Sequence, residues 1–171
     1  LVKADWVMPY GAGEKSDLTI KSTRSATENV HDSTLFLRFS DKHDGIITIK
    51  DDLGGIYGVG SDFRLPRMAP LEGYQPSFEK QIYQGPGRWD PPFLEENNYI
   101  FRIRSEENEQ GEVDKGMYGK IVGDIRFAPW EGNGGAFRMY YCLNPDGTRN
   151  LEFDPKRNLF RERERLEGHI D

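Results

Sequence analysis

Along most of this chain apolar and polar residues alternate in short runs, not at helical spacing. Leu18 and Ile20 alternate with Thr19 and Lys21, and residues 33–39, 46–50 and 78–83 form further runs of the same kind. Successive side chains of a strand point to opposite faces, so this period of two predicts half-buried β-strands. The polar segment 40–45 ends in Asp44-Gly45, residue types that tolerate positive φ, and predicts a hairpin joining 33–39 to 46–50. The clearest pattern lies in residues 98–104, 117–127 and 137–143, which predict a three-stranded antiparallel meander. Ile121, Ile125 and Phe127 share one side of the second run. In the third, Phe137, Met139, Tyr141 and Leu143 share one face, opposite Arg138, Tyr140 and Cys142.

The 19 glycines and 10 prolines fall between these runs and punctuate them as turns and loops. Residues 56–59 and 62–65 read as short strands, and the glycines at 58 and 60 suggest a bulge. Residues 66–77 and 84–98 read as long surface connections, 106–114 as an acidic loop tip, 151–153 as a short strand and 158–166 as one or two helical turns. The expectation is one mainly β domain over residues 1–171, an antiparallel β-sandwich or barrel built from hairpins, with long loops and at most a short C-terminal helix. Residues 1–16 form an irregular N-terminal segment and 158–171 a tail or short helix.

Composition narrows the function classes. A chain of 171 residues with 36% hydrophobic content can bury a core without disulfides or a structural metal. Cys142, the single cysteine, sits in an apolar run and reads as a buried thiol. The net charge of −6 opposes binding to a phosphate backbone, so nucleic acid is not an expected partner. No run approaches the roughly 18 consecutive apolar residues of a transmembrane helix.

Catalytic signatures with local spacing, such as HExxH, GxSxG, a phosphate-binding loop or GxGxxG, do not occur. His31-Asp-Ser33 places a base, an acid and a hydroxyl in sequence, but neighbours on a strand face opposite ways and do not converge as a triad. His43 reads as an exposed turn residue. Asn144, Asp146, Asn150 and Asp154 surround a Pro-Asp-Gly turn and offer the oxygen ligands that calcium prefers, although turn chemistry alone accounts for them. No cofactor is required; calcium at that segment is the one candidate. Trp6, Trp89 and Trp130 fall in segments read as loops, where an indole either plugs the core or presents a flat face to a ligand. Trp89, flanked by Arg88 and Asp90, is the best ligand-binding candidate, with Trp130 beside it in rank.

The segment Met117-Tyr-Gly-Lys-Ile-Val-Gly-Asp-Ile-Arg-Phe127, followed by Tyr140-Tyr-Cys-Leu-Asn-Pro-Asp-Gly-Thr-Arg-Asn-Leu-Glu-Phe-Asp-Pro-Lys-Arg-Asn-Leu-Phe160, resembles a pairing found in uncharacterised exported bacterial proteins. The resemblance covers the last quarter to third of the chain. It implies a bacterial, extracytoplasmic setting and no particular activity. Physically, residues 149–160 read as a clasp: Leu151, Phe153, Leu159 and Phe160 can dock on the meander while Arg149, Glu152, Asp154 and Arg157 pair around the turn.

The expected function is therefore a non-catalytic binding or structural β domain, extracytoplasmic, contacting a protein partner or a glycan. Self-association through an edge strand or residues 1–16 fits the same pattern. The competing class is a carbohydrate-active hydrolase or lyase using paired carboxylates in a sheet-lined cleft.

Overall fold

A computed structural model describes residues 16–50, 65–94, 96–130, 136–144 and 146–152. Residues 1–15 of the expected N-terminal segment, with Trp6, the strand expected at 56–59, all but Leu65 of that expected at 62–65, Asp154 and the C-terminal helix lie outside the described residues. Among the described residues there are ten strands: β1 (Leu18–Ala26), β2 (His31–Phe39), β3 (Gly45–Lys50), β4 (Ser77–Gly85), β5 (Arg88–Trp89), β6 (Asn97–Glu107), β7 (Val113–Ile121), β8 (Arg126–Ala128), β9 (Ala136–Arg138) and β10 (Tyr141–Asn144). They form two four-stranded antiparallel sheets, ordered β1-β2-β4-β5 and β10-β7-β6-β3, and a small β8-β9 hairpin. Neither sheet closes on itself, so of the two expected architectures the sandwich is the one found. Among the described residues no helix is long and apolar enough to cross a membrane.

The period of two decides which residues meet between the sheets. From the first sheet, Leu35, Leu37, Phe39 and Ile82 point inward; from the second, Ile46, Tyr99, Phe101, Ile103 and Ile121 do, with Ile125 and Phe127 beyond β7. Phe137, Met139, Tyr141 and Leu143 pack on the same core, on the face their alternation predicted. The opposite face of the second sheet is covered as well: Ile100 and Tyr118 pack with Ala69 and Leu151. Backbone bonds Ala69 N–H to Arg149 O and Leu151 N–H to Arg67 O, both 2.8 Å, lash residues 67–69 to 149–151 over that face. This is the clasp expected from the sequence, at Leu151.

Several expectations need correction. Residues 33–39 and 46–50 are not partners: β2 pairs with β1 and β4, whereas β3 pairs with β6 in the other sheet. Asp44-Gly45 is a crossover between layers, not a hairpin turn. The buried Asp44 carboxylate accepts the N–H groups of Arg104 and Ser105, both at 2.9 Å, where β6 is irregular and Arg104 has φ 55°. The Arg102 guanidinium binds His43 O from the same strand. Gly45 is required for close approach: a Cβ there would lie 2.5 Å from Gln75 O, where residue 75 bridges Ile46. His43 is correspondingly half-buried, with Nε2 2.8 Å from Glu107 Oε1.

The meander is real but interrupted. Residues 117–127 break after Ile121, because Gly123 takes a φ of 79° and donates its N–H to Asn98 Oδ1 at 2.8 Å. Residues 137–143 break at Met139 and Tyr140, and the β8-β9 hairpin is inserted between β7 and β10. The segment 84–98 is not all loop: Pro86-Gly87 turns β4 into β5, with Gly87 at φ 80°, as a Pro-Gly turn demands.

Gly119 tests the packing of the second sheet. A Cβ at this position would collide with the Phe101 ring and lie 2.6 Å from Cys142 O. Gly119→Ala is expected to destabilise the fold by about 1 to 3 kcal/mol, the usual cost of overpacking, measured by urea unfolding against the parent chain.

Candidate functional site

The residues flanking Trp89 are brought together by the β4-β5 hairpin. Gly85 pairs with Arg88 and Gln84 with Trp89. Arg88 therefore stands on the same face as Tyr83, and its guanidinium lies 5.5 Å over that ring. Asp90 closes the arrangement. Its carboxylate takes Arg88 Nε at 2.9 Å and Arg88 Nη2 at 2.7 Å, and it accepts the Tyr83 N–H at 2.9 Å. Asp90 N–H donates in turn to Tyr83 O at 2.8 Å. The Arg88 hydrogen bond, followed by the Tyr83 N–H, holds the Asp90 carboxyl below the usual aspartate range.

Trp89 points the other way, onto the inner face of the first sheet. Strand register places Ala26, His31, Gln84 and Trp89 in one cross-strand row on that face, with Arg24, Ser33 and Ile82 in a second row two residues away. A residue on an inner face is ordinarily covered by the opposite sheet, but Trp89 is 65% exposed and Ser22, Arg24 and Ala26 are exposed too. These residues lie on the two edge strands, and between them His31 and Gln84 of the end row are half-buried, so the sheet is open along its edges at this end and leaves a shelf beside Trp89. Two polar atoms on it, His31 Nδ1 and Ser33 Oγ, are buried without a hydrogen-bond partner, and Ser33 as a whole is only 2% exposed. Such atoms cost about 1 to 3 kcal/mol each and are uncommon in native proteins. Asp32 faces the opposite side, where it accepts a hydrogen bond from Gln81, so the three residues 31–33 do not converge.

Trp130 is 36% exposed and follows β8. Phe127 N–H donates to Pro92 O, so the hairpin leading to Trp130 is tied to the segment that runs on from Trp89. The predicted calcium ligands Asn144, Asp146 and Asn150 share one turn. Asn144 Nδ2 donates to Thr148 Oγ1 and Asn150 O, both at 3.0 Å, and Asn144 Oδ1 accepts from Asp146 N–H at 3.2 Å. Asp146 Oδ1 takes both Thr148 N–H and its hydroxyl. Among the described residues no group of three or more His, Cys, Asp or Glu side chains is arranged to hold a metal.

One polar cluster escaped the sequence reading. Between the sheets, Asp124 has no exposed side-chain surface and lies 2.5 Å from Nζ of Lys80, itself 11% exposed. Tyr99 donates its hydroxyl to Asp124 Oδ1, Leu94 N–H donates to Oδ2 at 2.6 Å, and Lys80 Nζ donates also to Ile125 O at 2.8 Å. Burial pushes the Lys80 ammonium below the usual lysine range, against the opposing pull of Asp124, and burial keeps the Tyr99 phenol protonated far above its ordinary value. A signal was present: Lys80 has the parity of Phe78 and Ile82, so the alternation of β4 points it inward. The buried carboxylates among the described residues, Asp17, Asp44 and Asp124, are each engaged by donors from another element.

Compared with protein-family models, with curated proteins and with solved structures, the chain finds no match.

The charge state of Asp90 is expected to govern the hairpin. Its folded-state acidity is strengthened, so its contribution to folding is complete above the ordinary aspartate range and is lost only as pH falls through the depressed value. The Asp90 carboxyl carbon, followed by NMR, should titrate below the other exposed aspartates, and Arg88→Ala should move that midpoint upward.

Proposed function

We propose that this chain is a non-catalytic binding domain that holds a glycan against Trp89 on the shelf of the first sheet. The observation that carries the reading is a largely exposed indole fixed on a strand, not on a free loop. A pyranose ring presents a C–H face that stacks on such an indole, and its hydroxyls need planar donors and acceptors around the rim. Gln84 and His31 stand in the same row as Trp89, and Arg24 and Ser33 in the next. In this reading Trp89 is the platform, and the exposed Arg24 and half-buried Gln84 on the same face present polar groups to hydroxyls of the sugar. The Arg88–Asp90 pair is a positioning element that keeps the hairpin from fraying. The domain acts outside the cytoplasm, where polysaccharides are displayed.

Titration of the full chain with a panel of soluble polysaccharides is expected to shift tryptophan emission for at least one of them. Trp89→Ala should abolish the shift and lower affinity at least tenfold by calorimetry, while Trp130→Ala leaves binding in place. Silence across a broad panel would sink the glycan reading.

A further inference from the structure

We propose that the side chains of Lys80 and Asp124 become joined by an intramolecular amide, a covalent staple between the two sheets. The bond forms between Lys80 Nζ and Asp124 Cγ, and one carboxyl oxygen of Asp124 leaves as water. The geometry on which this rests is the placement of a largely buried amine against a fully buried carboxyl group between the sheets. Lys80 comes from β4 of the first sheet and Asp124 from the connection after β7 of the second, and their N and O atoms are 2.5 Å apart. The Ile125 carbonyl, at 2.8 Å from Nζ, fixes the amine in that position.

In water an amine and a carboxylic acid exist as ammonium and carboxylate, and the amide they would form competes with a vast excess of solvent. Both obstacles weaken here. Burial away from water disfavours the separated charges, so transfer of one proton from Nζ to the carboxylate, giving a neutral amine and a neutral acid, becomes accessible. Fixed contact replaces a bimolecular encounter with an intramolecular one. The two carboxyl oxygens each receive a donor, Tyr99 O–H on Oδ1 and Leu94 N–H on Oδ2, and these polarise the carbonyl and hold the negative charge that develops as nitrogen attacks.

The step balances without an outside reagent. Lysine ammonium and aspartate carboxylate are converted to one amide and one water. The nitrogen lone pair forms the N–C bond. The departing oxygen, Oδ2, takes one proton from Nζ in the initial transfer and a second directly from the attacking nitrogen, while Oδ1, which carries the negative charge of the tetrahedral intermediate, stays hydrogen-bonded to the Tyr99 hydroxyl. No group is oxidised or reduced.

The full-length chain, purified folded and then denatured, is expected to show an intact mass lower than its sequence mass by one water. Trypsin should fail to cut at Lys80 and should release a branched peptide whose fragment ions place the link at Lys80 and Asp124. Lys80→Arg and Asp124→Ala should each return the full sequence mass, and Tyr99→Phe should slow the loss, read as a mixture of the two masses in freshly made protein. An unmodified mass for the folded parent chain would overturn the proposal and leave an ordinary ion pair. Loss of water mapped instead to Asp44-Gly45 or Asp146-Gly147, where a cyclic imide can form, would overturn it as well.

Discussion

A carboxyl group taken wholly out of water must find a match for each of its oxygens from the protein, and the match for Asp124 is drawn from three separate places. Lys80 reaches across from the first sheet, Tyr99 rises from β6 of the second, and Leu94 contributes its amide from the segment that carries the chain between them. The connection after β7 supplies Asp124 itself and the Ile125 carbonyl that shares the lysine. Leaving one partner of such a buried pair alone typically costs about 3 to 5 kcal/mol, a large fraction of the stability of a domain of this size. The apolar core drives the sheets together without direction. The polar contact has direction, and it fixes how far the β7-β8 connection turns inward and where the crossing segment lies.

That constraint also explains the shelf. Asp124 holds the Leu94 amide near Lys80, in the row where Lys80 pairs with Leu35. The next row is still covered at Ser33 and Ile82, and the end row, Ala26 with His31, Gln84 and Trp89, continues past it. The exposed indole and the buried network are thus neighbouring consequences of one crossing of the chain.

Much of the fold could be read from alternation, because burial of one face imposes it locally. The inner faces of β4, β6, β7 and β10 follow parity, and Leu151 docks where its spacing indicated. Pairing was less legible, since Asp44-Gly45 gives the same local signal whether the chain turns back or crosses over. The difference lies in Arg102 and Arg104, some sixty residues away, whose bonds to His43 and Asp44 hold the crossover down. Arg88, Trp89 and Asp90 stand out in the sequence by their composition around a turn. Which face each takes depended on the register of β5 with β4, and that register rests on a two-residue strand that no periodicity could reveal. Lys80 is legible as a residue of the wrong polarity on apolar parity, whereas Asp124 has the parity opposite to Ile121, Ile125 and Phe127 and turns inward only because the strand breaks at Gly123.

The exchange of partners between layers has a consequence during synthesis. β1 and β2 can pair as soon as both have left the ribosome, because a four-residue turn joins them. Among the described residues β3, with the apolar run Ile46-Ile47-Thr48-Ile49, has its partner strand in β6, which begins only at residue 97. For that interval a strand of high β-propensity presents two unpaired edges, a state prone to association with other chains. The vulnerable stage in the life of this domain is therefore its nascent one, before the second sheet can be assembled.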